Sequence, residues 1–300
     1  MNNKRYSIGC DIGGSHISCA LINVASGFIK EDSLVSIKVN NSESKEILLN
    51  AWTDAIIQCK TKLSESEEFA GLGLAIPGPF DYEKGIGLYD NSNQKFVDLK
   101  NVNVKEALSE SLSISTDIIK FMNDATAFSL GCYWFGVGKG SRKMVAITLG
   151  TGFGSSFISD GKAIEEGETV PKEGCLWHIP YKDGIADDYF STRWFVSQFN
   201  EISEEQVTGV KRIAELAREG NKQAILLFNA FGSNLADCLA EYLKVFEAEV
   251  VVMGGNISES FELFKTSLNK ELKAKGIEIP FKISKLKENA AMLGAVTVFK

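Results

Sequence analysis

Three short turns carry most of the residues that could do chemistry: Asp11-Ile12-Gly13-Gly14-Ser15, Gly150-Thr151-Gly152-Phe153-Gly154 and Gly254-Gly255-Asn256. Glycine tolerates positive φ and lets a ligand approach the backbone N–H groups closely. Successive N–H donors in such a turn form a nest for anions, phosphate above all. One such turn alone is usually an ordinary hairpin connection; three, each following an apolar run, point to phosphate binding. The sequence contains neither G-x-x-x-x-G-K-[ST] nor strand–G-x-G-x-x-G–helix, which excludes a P-loop and a Rossmann turn.

Two carboxylates stand among these turns. Asp11 would repel a polyphosphate unless a divalent cation lay between them, directly or through water, so it predicts Mg²⁺-nucleotide. Its bland reading is a turn-capping Asp bonded to local amides. Asp124 follows Asn123 where an apolar run meets a helical pattern. It is either a helix N-cap or a general base that takes a proton from an attacking hydroxyl in phosphoryl transfer.

The elements that must position these residues follow from periodicity. "RYSIGCDI" and "ISCALINV" read as a hairpin, followed by a strand in "EDSLVSIKV" and a helix in "SKEILLNAWTDAIIQCKTKL". "FAGLGLAI" is a strand that stops at Pro77-Gly78-Pro79, "VKEALSESL" a short helix, "DIIKFMND" a strand and "ATAFSLGCYWFG" a helix. The pattern restarts about 140 residues on, with "KMVAITLGTGFGSSFIS" as strand, glycine turn and strand, then the turn "DGKAI". This self-similarity predicts a duplicated unit and two related domains. The second half adds the helix "FSTRWFVSQF", a long helical stretch from Gly209 broken at Gly220, the strand "AEVVVMGGNIS" and the helix "SESFELFKTSLNKELKAKG". It closes with the small-residue helix "ENAAMLGAVTVF". The expected boundaries are 1–122 for a smaller α/β domain joined by residues 287–300, and 123–286 for a larger one.

Composition narrows the class. With 300 residues, 44% hydrophobic and 24% charged, the chain is an ordinary globular protein long enough for two domains. A net charge of -7 argues against nucleic acid as the main partner. No apolar run is long enough for a membrane span or a secretory signal, so a cytoplasmic location and no membrane partner are expected. The six cysteines are scattered singly, which predicts buried free thiols in a reducing compartment. Only two histidines are present, His16 and His178.

In order and spacing, "DIGGSHISCAL", "MNDATAFSLG", "LGTGFGSSF" and "VVMGGNIS", with "LGLAIPGPFD" and the closing "AAMLGAV", resemble the ROK family of sugar kinases (repressor, open reading frame, kinase) of the actin-like ATPase superfamily. The likeness covers nearly the whole chain. It implies two actin-like (ribonuclease H-like) α/β domains, with mixed sheets flanked by helices and a cleft between them, and a kinase using ATP and Mg²⁺. By this resemblance Asp11, Gly13, Gly14 and Ser15 form the first phosphate loop, with Asp11 serving Mg²⁺. Gly150, Thr151, Gly152 and Gly154 form the second, and Gly254, Gly255 and Asn256 lie against adenosine. Asp124 becomes the base acting on a hexose hydroxyl, at carbon 6, and Gly78, Asn93 and Asn123 line the sugar cleft. A homodimer is among the assemblies it implies.

The family pattern breaks at "PKEGCLWHIPYKDGIADDYFS". Family members carry E-x-G-H, whose Glu holds sugar hydroxyls and whose His begins a zinc site completed by C-x-C-G-x-x-G-C. With His178 on the family His, the Glu position falls on Cys175 and the Gly position on Trp177; a shifted alignment lets Glu173 serve instead. Asp187 stands where a second family Glu precedes Y-x-S. The cysteine run is missing, so no structural zinc is expected, because one His and one Cys cannot fill four tetrahedral places. Trp177 reads as a core aromatic ahead of a stacking platform, and His178 as a structural histidine. Two other functions on this fold stay open: a non-catalytic sugar sensor and a sugar-independent actin-like ATPase. A DNA-binding regulator is disfavoured by the acidic charge and by a first strand starting near Tyr6.

Overall fold

A computed structural model describes residues 4–90 and 95–300, and they fall into two compact units, Met1–Gly136 with Glu288–Lys300, and Val137–Lys287. In the first unit the apolar runs flanking Gly13-Gly14 pair as the antiparallel hairpin β1 (Arg5–Ile12) and β2 (His16–Asn23), in a register that sets Asp11 opposite Ser18. β3 (Val35–Lys38) extends it; the rest of "EDSLVSIKV" stays outside the ladder. α1 (Lys45–Lys60) starts at Ser44, whose hydroxyl accepts from the Ile47 N–H, and buries Leu48, Trp52 and Ile56. β4 (Glu68–Ile76) runs parallel to β1 and stops before Pro77, which has no N–H to offer a ladder. A two-residue ribbon, β5 (Phe80–Asp81) with β6 (Ile86–Gly87), precedes α2 (Val104–Leu112). β7 (Ile119–Asn123) then lies parallel to β4 and leads into α3 (Asp124–Phe135).

The sheet order is β3-β2-β1-β4-β7. Because β1, β4 and β7 are parallel, their C-terminal ends share one edge, with Asp11 beside Ala75 and Ile76 beside Asn123. In open α/β sheets that edge is where ligands bind.

The second unit repeats the plan. β8 (Lys143–Leu149), β9 (Phe153–Ser159) and β10 (Lys162–Ile164) form an antiparallel meander. After the short ribbon β11 (Pro180–Tyr181) and β12 (Gly184–Ile185) come α4 (Ala186–Tyr189), α5 (Thr192–Ile202), α6 (Val210–Arg218) and α7 (Lys222–Phe246). The break between α6 and α7 falls at Gly220, as expected; Asn221 caps the new helix through the Ala224 N–H. β13 (Val250–Gly254), α8 (Phe261–Ala274) and β14 (Phe281–Ile283) complete the order β10-β9-β8-β13-β14, with β13 parallel to both neighbours. Phe195, Phe228, Phe231 and Phe264 stack through its core.

α9 (Asn289–Ala295) returns the chain to the first unit and packs on α3. Its small residues have a steric reason: a Cβ on Gly294 would lie 1.7 Å from the Ala127 carbonyl, and one on Gly131 would lie 2.0 Å from that of Ala290. This close crossing places α3 in the first unit, so the units divide at Gly136/Val137 rather than at the expected 122/123. All six cysteines are free thiols, and only Cys175 is not fully buried. No helix among the described residues is long and apolar enough to cross a membrane.

Candidate functional site

In the first unit the strand edge gathers Asp11, Gly78, Asn123 and Asp124. The Asp11–Ser15 turn is closed by the Gly13 N–H donating to the His16 carbonyl at 2.9 Å. Gly14 lies against Asn41, and a Cβ there would come within 2.6 Å of the Asn41 amide nitrogen. Asn123, not Asp124, is the N-cap of α3: its side-chain oxygen accepts from the Ala125 and Thr126 N–H groups at 2.9 and 3.3 Å. Its amide nitrogen donates to the Tyr82 hydroxyl at 3.2 Å, and a Cβ on Gly78 would lie 3.2 Å from that same hydroxyl. The Tyr82 hydroxyl also donates to the Ile76 carbonyl at 3.3 Å and so ties Asn123 to the end of β4, two residues before Gly78, a connection no local sequence pattern reveals. Asn93 lies outside the described residues.

With Asn123 as the cap, Asp124 is relieved of that duty. One of its oxygens still accepts from the Ala125 N–H at 2.9 Å. Burial pushes its carboxyl above the ordinary aspartate range, against the pull of that N–H, Lys95 and Asn123. Burial likewise pushes Asp11 up to about 7, and the negative charges of Asp124 and Glu288 add to the rise. Glu288, just ahead of α9, had no sequence signal, because nothing in its neighbourhood anticipates the return of the chain to this edge.

Asp11 is partly buried, and a desolvated carboxylate whose electrostatic neighbours are acidic is one whose charge a divalent cation would offset. No group of three or more His, Cys, Asp or Glu side chains among the described residues is arranged to hold a metal. Asp11 would supply one oxygen to a hard cation whose other ligands were water and phosphate oxygens, as those of Mg²⁺ commonly are.

In the second unit the turns Gly150–Gly154 and Gly254–Asn256 meet at the ends of the adjacent strands β8 and β13. Gly255 has φ 82°, and a Cβ would lie 2.3 Å from the Leu149 carbonyl, so only glycine fits. Ser258 closes this turn by donating its hydroxyl to the Gly255 carbonyl at 2.6 Å. The Gly150 carbonyl accepts from the Thr192 N–H and hydroxyl at 2.8 and 2.9 Å.

Asp187 is engaged within its own unit: its Oδ1 accepts from the Phe153 N–H at 2.6 Å and its Oδ2 pairs with Arg193 at 2.5 Å. Arg193 also donates to the Thr151 carbonyl at 3.3 Å. Glu173 is exposed with φ 59°. Trp177, expected in the core, is 47% exposed, with its ring edge-on to His178 at 5.2 Å between centroids. The Cys175 thiol donates to the Glu173 carbonyl at 3.1 Å, and burial pushes it up to about 11. Cys175 and His178 alone do not fit the zinc site of the family pattern.

Two units with the same sheet order, each with a glycine turn in its first hairpin and parallel strands beyond, define the actin-like class of α/β folds. The chain belongs to the ROK family, whose model matches residues 7–300. It is 28% identical to the glucokinase of Thermotoga maritima, over 99% of this chain and 98% of that one. It is 25% identical to the xylose repressor of Caldicellulosiruptor bescii, over 97% of this chain and 77% of the repressor. Among solved structures, a ROK family glucokinase from Streptomyces griseus in complex with glucose and AMPPNP superposes with a TM-score of 0.71 and 23% identity, covering 98% of each chain.

Proposed function

We propose that the protein phosphorylates the 6-hydroxyl of a hexose or closely related sugar from ATP, with Asp124 as general base. The observation that carries this reading is Asp124 itself: a partly buried carboxylate at a parallel-strand edge, pushed above its ordinary pKa by desolvation, with the α3 cap supplied by Asn123 instead. Such a group accepts a proton near neutral pH more readily than an ordinary aspartate. Phosphoryl transfer asks little else of a protein beyond positioning and charge neutralisation.

Asn123, held by Tyr82, and Gly78, whose Cα faces the same hydroxyl, would orient the sugar beside Asp124. The Gly13–Ser15 turn, through the Gly14 and Ser15 N–H groups, and the Gly150–Gly154 turn, through those of Thr151 and Gly152, would face phosphate oxygens, and Gly254–Asn256 would lie against adenosine. Asp11 would hold Mg²⁺ directly or through water; when bound, the ion offsets negative charge on the phosphates.

A coupled ADP-release assay over hexoses, amino sugars and N-acetylated sugars tests this. The native chain should release ADP only with an accepted sugar, and Asp124→Asn should lower that rate at least a hundredfold. ADP release without sugar would replace the kinase by an ATPase. Silence across the panel, together with measurable sugar binding, would replace it by a sensor.

A further inference from the structure

Asp187 and Arg193 are the only ion pair among the described residues that also bonds to the Gly150–Gly154 turn. Asp187 Oδ1 takes the Phe153 N–H at the far side of the turn, and Arg193 takes the Thr151 carbonyl in its middle. At Gly152 a Cβ would come within 3.0 Å of the same Asp187 oxygen. Asp187 is in turn held from behind, since its own N–H donates to the Trp177 carbonyl at 3.0 Å. One residue earlier, the Leu176 N–H donates to the Ser155 hydroxyl at 2.7 Å, a buried contact on β9. The segment that replaces the family's sugar-reading motif is thus bonded to the phosphate turn on two levels.

The contacts have a chemical consequence for the turn. A carboxylate that takes the Phe153 N–H withdraws that donor from any phosphate. Arg193, by pinning the Thr151 carbonyl, turns one peptide oxygen outward to the guanidinium and away from the nest. With the Gly150 N–H bonded to the Gly152 carbonyl at 3.1 Å and the Thr151 carbonyl held by the guanidinium, the Thr151 and Gly152 N–H groups are the ones left for an anion. An arginine is suited to this because its planar fork reaches a carboxylate and a carbonyl at once.

We propose that Asp187 and Arg193 are positioning residues that hold the Gly150–Gly154 turn in its phosphate-receiving shape, and that Asp187 does not read the sugar. This rests on the nucleotide role of that turn proposed above. It also explains how a shorter acid can stand where the family pattern has Glu: its task is to reach a backbone N–H of its own unit.

The test uses the full chain and the variants Asp187→Ala, Arg193→Ala, Arg193→Lys and Asp187→Ala/Arg193→Ala, with two readouts. Mg²⁺·ADP and sugar affinities are measured by calorimetry, and amide exchange over residues 150–156 is followed without ligand. Asp187→Ala should weaken ADP about tenfold and speed exchange of the Phe153 amide by a similar factor, as loss of a charge-assisted acceptor does. Arg193→Ala should give about threefold in both, since an exposed pair contributes less. The double variant should be no worse than Asp187→Ala alone, Arg193→Lys should recover part of the loss, and sugar affinity should stay within twofold throughout. Unchanged protection of Phe153 in Asp187→Ala would overturn the proposal. So would a loss confined to sugar affinity, which would return Asp187 to the sugar. Failure of the kinase reading looks different: a native chain with no sugar-dependent ADP release, whose Phe153 exchange still responds to both substitutions.

Discussion

Asp11→Asn should make the protein more stable at alkaline pH, although it removes the residue proposed to serve Mg²⁺. Burial, with Asp124 and Glu288 nearby, raises Asp11 from 3.8 to about 7 in the folded chain. The folded state therefore holds this proton more tightly than the unfolded state, and stability falls as pH rises from about 4 to about 7 and stays low above. At about 1.4 kcal/mol per tenfold, the gap between 3.8 and about 7 sets a ceiling of about 4 kcal/mol on the penalty at pH 8. Asn at position 11 has nearly the same shape and no charge to bury. Part of the penalty belongs to interaction with Asp124, so a gain of about 2 kcal/mol is expected at pH 8, or roughly 4–8 °C in Tm for a domain of this size. By the same linkage the advantage should shrink by more than half at pH 5, where the folded native chain already carries the proton. Urea melts of both proteins at pH 5, 6, 7 and 8, without nucleotide or divalent cation, read the difference directly, because acid effects common to both cancel. An Asp11→Asn protein no more stable than native at pH 8, or an advantage independent of pH, would refute the reasoning. Added Mg²⁺·ADP should then stabilise the native chain more than the variant.

Other outcomes follow from the same geometry. The sugar-dependent kcat/KM should fall on the acid side with an apparent pKa above the ordinary aspartate range, since burial raises Asp124 and a base acts only when deprotonated; a pH–rate profile checks it. Gly294→Val should cost about 3 kcal/mol by denaturant melt, because even a Cβ would lie 1.7 Å from the Ala127 carbonyl where α9 crosses α3. Gly255→Ala should weaken nucleotide at least tenfold in calorimetry while leaving sugar affinity alone, since φ 82° and the Leu149 carbonyl at 2.3 Å force the adenosine-side turn to move. Asn123→Ala should cost about 1–2 kcal/mol in thermal melts, because two N–H groups at the start of α3 lose their acceptor.

Much of this architecture was legible before any coordinates. Alternation in "RYSIGCDI" and "ISCALINV" announced β1 and β2, and the break at Gly220 separated α6 from α7, because these signals are local and strong. The recurrence of strand, glycine turn and strand at "KMVAITLGTGFGSSFIS" foretold two sheets of one topology. The ribbons β5–β6 and β11–β12 escaped notice because two-residue strands have no periodicity to read. The contact boundary at Gly136/Val137 differs from the expected 122/123 because α3 packs mainly on α9, where Gly131 and Gly294 allow a close crossing between segments far apart in the chain.

The sequence by itself determined the inventory: three glycine turns, two carboxylates at apolar-run ends, a duplicated strand plan and an altered "EGCLWH" segment. These depend on residue type and short spacing, which the chain states outright. Tertiary structure decided the assignments among them. It made Asn123 the cap, left Asp124 partly buried beside the Ala125 amide, and tied Asn123 to the end of β4 through Tyr82. It exposed Trp177 and set Asp187 against the Gly150–Gly154 turn with Arg193 as its partner. Those outcomes turn on which donor comes within about 3 Å of which acceptor, and on which carboxylate loses its water. Distance and desolvation arise only when remote segments pack together.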